Sequence, residues 1–244
     1  MPTADTLLRR AHEGAYRFPP GFAGFTAAVQ VGRAQAQVVV RGRNAIELIA
    51  EPFDTALDDP DFAIVPSATG VSEPTSPDRE LAVRVAADLD WARPELSSMI
   101  GHRWPTGYDE GDGRWTKKVN GELVQLLDDP FKSTYRVSEE TIREVHRTVG
   151  AVRFVISVAE RAIAHDGRYL PSQFAVFHWS TDTGRLLRAD QYQDSYTRVG
   201  DVHLPAGRRV TTATDDGLTV REFRLTGHAL VEAAEGATKG ATDA

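Results

Sequence analysis

Glu144 and His146 stand two residues apart in Ile142-Arg143-Glu144-Val145-His146-Arg147. On a β-strand, residues i and i+2 share a face, so carboxylate and imidazole would sit side by side. Such a pair can share a proton for general acid–base work, or supply half of a metal site. His178 lies in Phe174-Ala175-Val176-Phe177-His178-Trp179, on the face of Phe174 and Val176. An imidazole among apolar side chains is the usual make-up of a ligand pocket. His146, Glu144 and His178 are therefore the candidate catalytic groups. The plainer alternative gives each histidine one satisfied hydrogen bond and no chemistry.

A second constellation is Asp190, Tyr192, Asp194 and Tyr196, which alternate with Gln191, Gln193, Ser195 and Thr197. Both faces of this strand are polar. Either it is a sheet edge whose charges block edge-to-edge pairing, the commoner case, or one polar face lines a wet cavity. The cavity reading makes Tyr192, Asp194 and Tyr196 ligand-binding residues, together with His178 and Trp179. Asp190 and Asp194 would be about 13 Å apart at strand rise, too far for a glycosidase-type pair. A base there would be one Asp with its pKa raised by burial. Arg143, Arg147, Arg153 and Arg161 form a basic stripe across two adjacent strands. It is either a solvated face paired with Glu139, Glu144 and Glu160, or a receiver for an anionic head group. Trp91, Trp104, Trp115 and Trp179 read as core or cavity wall. The chain has no His-x-x-x-His, no phosphate-binding glycine loop and no Gly-x-Ser-x-Gly elbow, so no metal and no cofactor are expected.

These residues depend on a sheet to position them. From Arg114 to Leu225 apolar side chains alternate with period two, interrupted by Asn120-Gly121, Asp166-Gly167, Thr183-Gly184 and Asp216-Gly217. Asn-Gly and Asp-Gly suit the positive φ angles of type I′ hairpin turns. The expected strands are 115–119, 122–127, 134–138, 142–149, 152–163, 173–180, 185–192, 197–203, 208–213 and 219–225. Three shorter strands precede them, around Phe25–Val31, Ala36–Val40 and Ile46–Ala50. A helix is expected over Ala4–Tyr16. Ser76-Pro77-Asp78-Arg79-Glu80 has the chemistry of a helix start, and Leu81, Val85, Leu89 and Ala92 continue it. Pro94 is expected to end or kink that helix, with a second short one over Glu95–His102. The resulting fold class is mainly β with helices (α+β). It is a curved antiparallel sheet or incomplete β-barrel covered by an N-terminal helix and a central helical pair. Residues 1–232 form a single domain with a flexible Pro-rich insertion at 51–77, and 233–244 form a disordered tail.

Composition narrows the classes of function. A net charge of −7 disfavours nucleic acid as a partner, since duplex phosphate usually needs a basic field. The absence of cysteine removes disulfides, thiolate nucleophiles and Cys-based metal sites. No apolar run is long enough for an integral membrane segment, and no export signal opens the chain, so a cytoplasmic location is expected.

Several local patterns carry a resemblance. They are Ala11-His12-Glu13 with Phe22-Ala23-Gly24-Phe25-Thr26-Ala27, then Asp166-Gly167-Arg168-Tyr169-Leu170-Pro171. Further on come Asp182-Thr183-Gly184-Arg185-Leu186, Tyr192-Gln193-Asp194 and Tyr196 to Pro205. The chain resembles an uncharacterised bacterial and plastid family known as domain of unknown function 3386. More distantly it is similar to the lipoprotein carrier (LolA-like) fold. That likeness implies an incomplete antiparallel barrel closed by helices around an apolar cavity for acyl chains. The function expected is binding of an apolar or amphipathic small molecule in a sheet-enclosed cavity, with the Pro-rich segment as lid. The alternative is a cofactor-free isomerase, cyclase or hydrolase using a His/Glu acid–base pair in that cavity.

Overall fold

The computed structural model describes residues 3–50, 77–104 and 116–232. The Pro-rich insertion up to Ser76, the loop around Tyr108–Gly113, Trp115 and the tail after Glu232 lie outside these residues. Helix α1 spans Ala4–Gly14 and is followed by β1 (Phe25–Val31), β2 (Ala34–Gly42) and β3 (Ala45–Ala50). Helix α2 (Pro77–Gly101) leads to β4 (Lys117–Asn120), β5 (Leu123–Leu126), β6 (Thr134–Ser138), β7 (Thr141–Val149) and β8 (Val152–Ile163). The last four strands are β9 (Tyr169–Ser180), β10 (Leu186–Val199), β11 (Val202–Thr214) and β12 (Gly217–Leu230). All twelve make one antiparallel sheet in the order β3-β2-β1-β12-β11-β10-β9-β8-β7-β6-β5-β4. The chain therefore meanders from β4 to β12, and β1 pairs with β12 to add the first three strands beyond it. The sheet is open, with β3 and β4 as its edges.

Two details differ from expectation. The central helical pair is one 25-residue helix that carries Pro94 inside it. Proline removes one backbone N–H, but tertiary packing of a long apolar stripe outweighs that loss. Leu89, Ala92, Leu96, Met99 and Ile100 are buried along α2 against Val29, Val31, Val38, Phe223 and Leu225 of the sheet. The expected strands 185–192 and 197–203 are not separate: β10 runs unbroken to Val199 and turns at Gly200-Asp201, so that Val202 and His203 open β11.

Helix α1 starts at Thr3, whose hydroxyl accepts the Thr6 N–H at 3.2 Å, a normal N-cap. Its buried stripe of Ala4, Leu8 and Ala11 covers Val124, Leu126 and Val137 on β5 and β6. The two helices thus cover opposite halves of one sheet face, each with its own apolar cluster.

Hairpin chemistry also differs from the expected type I′ pattern. Gly121 and Gly200 each stand first in a two-residue loop and alone take positive φ there, the type II′ signature. The loop with positive φ at both positions is Glu139-Glu140, at 51° and 58°, between Ser138 and Thr141. Left-handed backbone costs a non-glycine residue roughly 1–2 kcal/mol. The salt bridges Arg10–Glu140 and Arg143–Glu139, both 3.3 Å and exposed, offset little of it. Replacing Glu139-Glu140 by Asn-Gly should therefore stabilise the protein by about 1 kcal/mol. A urea titration checks this through a raised midpoint at unchanged slope.

Candidate functional site

Strand β10 lies between β9 and β11, in the middle of the sheet. Its double polarity is therefore not that of an edge, contrary to the commoner expectation. Asp190, Tyr192 and Asp194 face the helices because their partners Val176, Phe174, Val210 and Arg208 do. Asp194 forms a two-pronged bond with Arg208: Nε donates to Oδ1 and Nη2 to Oδ2, each at 2.8 Å. Nη1 of Arg208 donates to Glu95 Oε2 at 2.9 Å and to the Glu95 carbonyl at 3.1 Å. The two side chains are 3% and 1% exposed, so the pair is stable only because both ions are satisfied. It clamps the Pro94–Glu95 turn of α2 onto the sheet.

Beside this clamp is a cavity of about 320 Å³. One wall is apolar: Ile142 and Val145 from β7, Ile156 and Val158 from β8, and Phe174 and Val176 from β9. The helix side contributes Ala15, Tyr16, Arg17, Met99, His102 and Arg103. Tyr192 stacks on Phe174 with centroids 4.6 Å apart and planes 6° from parallel. The Arg208 guanidinium lies 5.0 Å over the Tyr192 ring. Burial, aided by the negative charges of Glu95 and Asp190, pushes the Tyr192 phenol up to about 12.

Of the cavity's cationic groups the sequence pointed to Arg147 alone, in the basic stripe, and not to Arg103, Arg208 or His102. Arg103 is buried, donates to the Met99 carbonyl and to Tyr196 Oη, and lies 4.6 Å over the Tyr196 ring. Tyr196 Oη donates to the Pro171 carbonyl at 2.7 Å and lies 3.3 Å from Asp194 Oδ2. Burial raises its pKa far above the ordinary phenol value. His102 keeps an exposed surface and is one of the residues that line the cavity. Burial, then the charges of Arg103, Arg147, Arg208 and Arg17, push its imidazole down to about 4. For His102 and Arg103 the only signal in the sequence was their place at the end of a helical pattern, with no periodicity to link them to Arg147 or Arg208.

The predicted site residues divide between the two faces. Tyr192 and Asp194 line the cavity, and Tyr196 holds Arg103 at its edge. Glu144 and His146 do form a pair, at 3.3 Å. They flank Val145, which faces the cavity, and so point to the opposite face. Arg136 Nε, 3.0 Å away, is the chief cause that holds the Glu144 carboxyl below its usual value. His178 faces the helix side next to Phe154, with Nε2 3.3 Å from Asp190 Oδ2. Asp190 is fully buried and also accepts from Thr212 Oγ1 at 2.6 Å and Arg188 Nε at 2.7 Å. Trp179 points to the outer face, with Arg153 4.9 Å over its ring. The basic stripe is dispersed: Arg143 pairs with Glu139, Arg153 faces outward, Arg161 lies over the cavity-lining Tyr169, and Arg147 stands on the cavity face of β7. Among the described residues, no group of three or more His, Asp or Glu could hold a metal ion. No described helix is long and apolar enough to cross a membrane.

Two outcomes are expected. Truncating one partner of the clamp, Asp194→Ala or Arg208→Ala, should cost about 3–5 kcal/mol, because it strands a buried charge. The double replacement Asp194→Leu with Arg208→Met should recover most of that loss in chemical denaturation. The second concerns His102, whose folded pKa of about 4 lies below the unfolded value of 6.5. The unfolded chain takes up this proton first. The contribution of His102 is thus complete above pH 6.5 and is lost as pH falls toward 4. Denaturation curves of wild type and His102→Gln should diverge in that window, and the imidazole NMR signal should titrate near its lower end.

A family model described as Protein of unknown function (DUF3386) matches residues 87–231, more than half of the chain. The matched span runs from the middle of α2 through β12, and includes Arg103, Arg147, Asp194 and Arg208 but not α1 or β1–β3. No curated protein and no solved structure matches the chain. The chain belongs to the DUF3386 family.

Proposed function

We propose that this member of the DUF3386 family binds an apolar or amphipathic small molecule between its sheet and its helices. The observation that carries this reading is the cavity itself. Six aliphatic or aromatic side chains from three adjacent strands form one wall, and the rest of the lining carries the polar groups, Arg17, Ser98, His102, Arg103, Asp194 and Arg208 among them. Its volume is at the small end of ligand pockets, which run about 300–1,000 Å³. Each methylene moved from water to that wall contributes about 0.8 kcal/mol. Tyr192, Asp194 and Tyr196 belong to this reading as wall and rim. A cytoplasmic setting is part of the proposal.

The enzyme alternative is favoured by one contact. His178 and Asp190 make a carboxylate–imidazole pair on the helix-covered face, whereas Glu144–His146 stands on the other. Such a pair becomes a general-base arrangement once the imidazole donates to Asp190 Oδ2, which accepts no hydrogen bond in the structure. His178 is two residues along β9 from the cavity-lining Val176, about 7 Å at strand rise.

Native mass spectrometry of the purified protein should show a bound mass that denaturation releases. After delipidation, calorimetry should show uptake of decanol, a neutral straight-chain probe, by wild type. Ile156→Trp, which fills the cavity, should abolish that uptake with an unchanged far-UV circular dichroism spectrum. A wild type that takes up no apolar probe overturns the binding reading.

A further inference from the structure

Among the described residues that line the cavity, arginines outnumber carboxylates: Arg17, Arg103 and Arg208 against Asp194. Arg17, Arg103 and Arg208 line the cavity together with His102, and Arg147 stands beside it on β7. Of the nearby carboxylates, Asp194 and Glu95 are committed to Arg208, and Asp129, whose charge Arg147 helps to hold, accepts from the Ser133 N–H. Among the described residues, neither Arg103 nor Arg147 forms a salt bridge. Each also has a buried Nε–H without a hydrogen-bond partner. Arg103 uses its other nitrogens on neutral acceptors, the Met99 carbonyl and Tyr196 Oη. Arg147 donates from Nη2 to Tyr135 Oη at 3.0 Å and stands two residues along β7 from the cavity-lining Val145, on the same face. A buried cation left without a counter-ion is costly, and so is a buried N–H without an acceptor. One anionic group at this end of the cavity would satisfy both.

Resting on the reading above, we infer that the ligand is an amphipathic acid, whose apolar tail lies on the Ile142–Val176 wall and whose anionic head is received by Arg103 and Arg147. The head is a carboxylate or a phosphate monoester, both of which accept in-plane from a guanidinium fork. His102, being neutral, adds a hydrogen bond and no competing charge. Arg208 is excluded as a receiver because Asp194 and Glu95 already occupy it.

The test uses the full chain, delipidated, with three probes of equal tail length: decanoate, decyl phosphate and decanol. Calorimetry at pH 7.5 should show at least one of the acids binding about tenfold or more tighter than decanol, the equivalent of one charge-assisted hydrogen bond. Which acid binds tighter identifies the head group. In Arg147→Met the preference for acid over alcohol should shrink to within about twofold while decanol affinity holds, since a receiver of charge acts on the acid alone. Arg103→Met should do the same if it folds, and Arg147, being half-buried, keeps the test valid if it does not. Equal binding of acid and alcohol by wild type overturns this inference and leaves the apolar reading standing. A preference that survives Arg147→Met and any folded Arg103→Met overturns the assignment of the head-group site. Binding of none of the three overturns both readings.

Discussion

A buried arginine in the centre of a β-sheet constrains everything around it. Arg208 places its charge where water cannot reach, and such an ion persists only when each of its N–H groups meets an acceptor. Asp194 supplies two oxygens from the neighbouring strand, and Glu95 supplies a side-chain and a main-chain oxygen from the helix above. The requirement fixes three things at once. It sets the β10–β11 register, the depth of α2 over the sheet, and the position of the helix turn that contains Pro94. The surrounding apolar cluster of Leu89, Leu96, Met99, Ile100 and Phe223 drives the helix onto the sheet without choosing a register. The ion cluster makes the choice.

A twelve-stranded open sheet with two helices on one face does not bury that face evenly. Helix α1 seals the half near β5 and β6, and α2 seals the half near β1, β2 and β11. Strands β7 to β10 lie between them, and the cavity opens there. The gap is a consequence of the two apolar clusters being separate. Its wall is aliphatic because β7, β8 and β9 alternate as an ordinary half-buried sheet does. Its opposite end is cationic because α2 ends in His102-Arg103 where β7 presents Arg147.

That polarity is what the proposed function rests on. An apolar wall alone would suit any oily molecule. In the proposal, guanidinium groups with buried, unbonded N–H groups would select among them, since an anion is the strongest acceptor they can meet. The Tyr196 hydroxyl links the two parts, as it touches Arg103 on one side and Asp194 on the other. The clamp that holds α2 and the cationic end of the cavity are thereby one hydrogen-bonded network.

Much of the architecture was legible in the chain. The strands β7, β8 and β9, the three-stranded N-terminal meander and the α1 stripe follow from local periodicity, and periodicity is a property of neighbours in sequence. The turn pair Glu139-Glu140 was not legible, because its left-handed backbone is imposed by the strands it joins and not by residues that favour it. Pro94 read as a break, yet α2 continues, because packing of Leu96, Met99 and Ile100 outweighs one missing hydrogen bond. The polar strand β10 could be read as an edge or as a cavity wall. Only the pairing of Asp194 with Arg208 and of Asp190 with Thr212 decided it. The inward face of Tyr192 and Asp194 on β10, and of His178 on β9, follows from alternation along each strand. His102, Arg103 and Arg147 come from a helix end and a distant strand, and nothing along the sequence joins them. What the sequence determined by itself was which residues alternate and where the chain turns. The tertiary structure decided which face is inward, which charges are left without partners, and where they meet, because those depend on long-range pairing and burial.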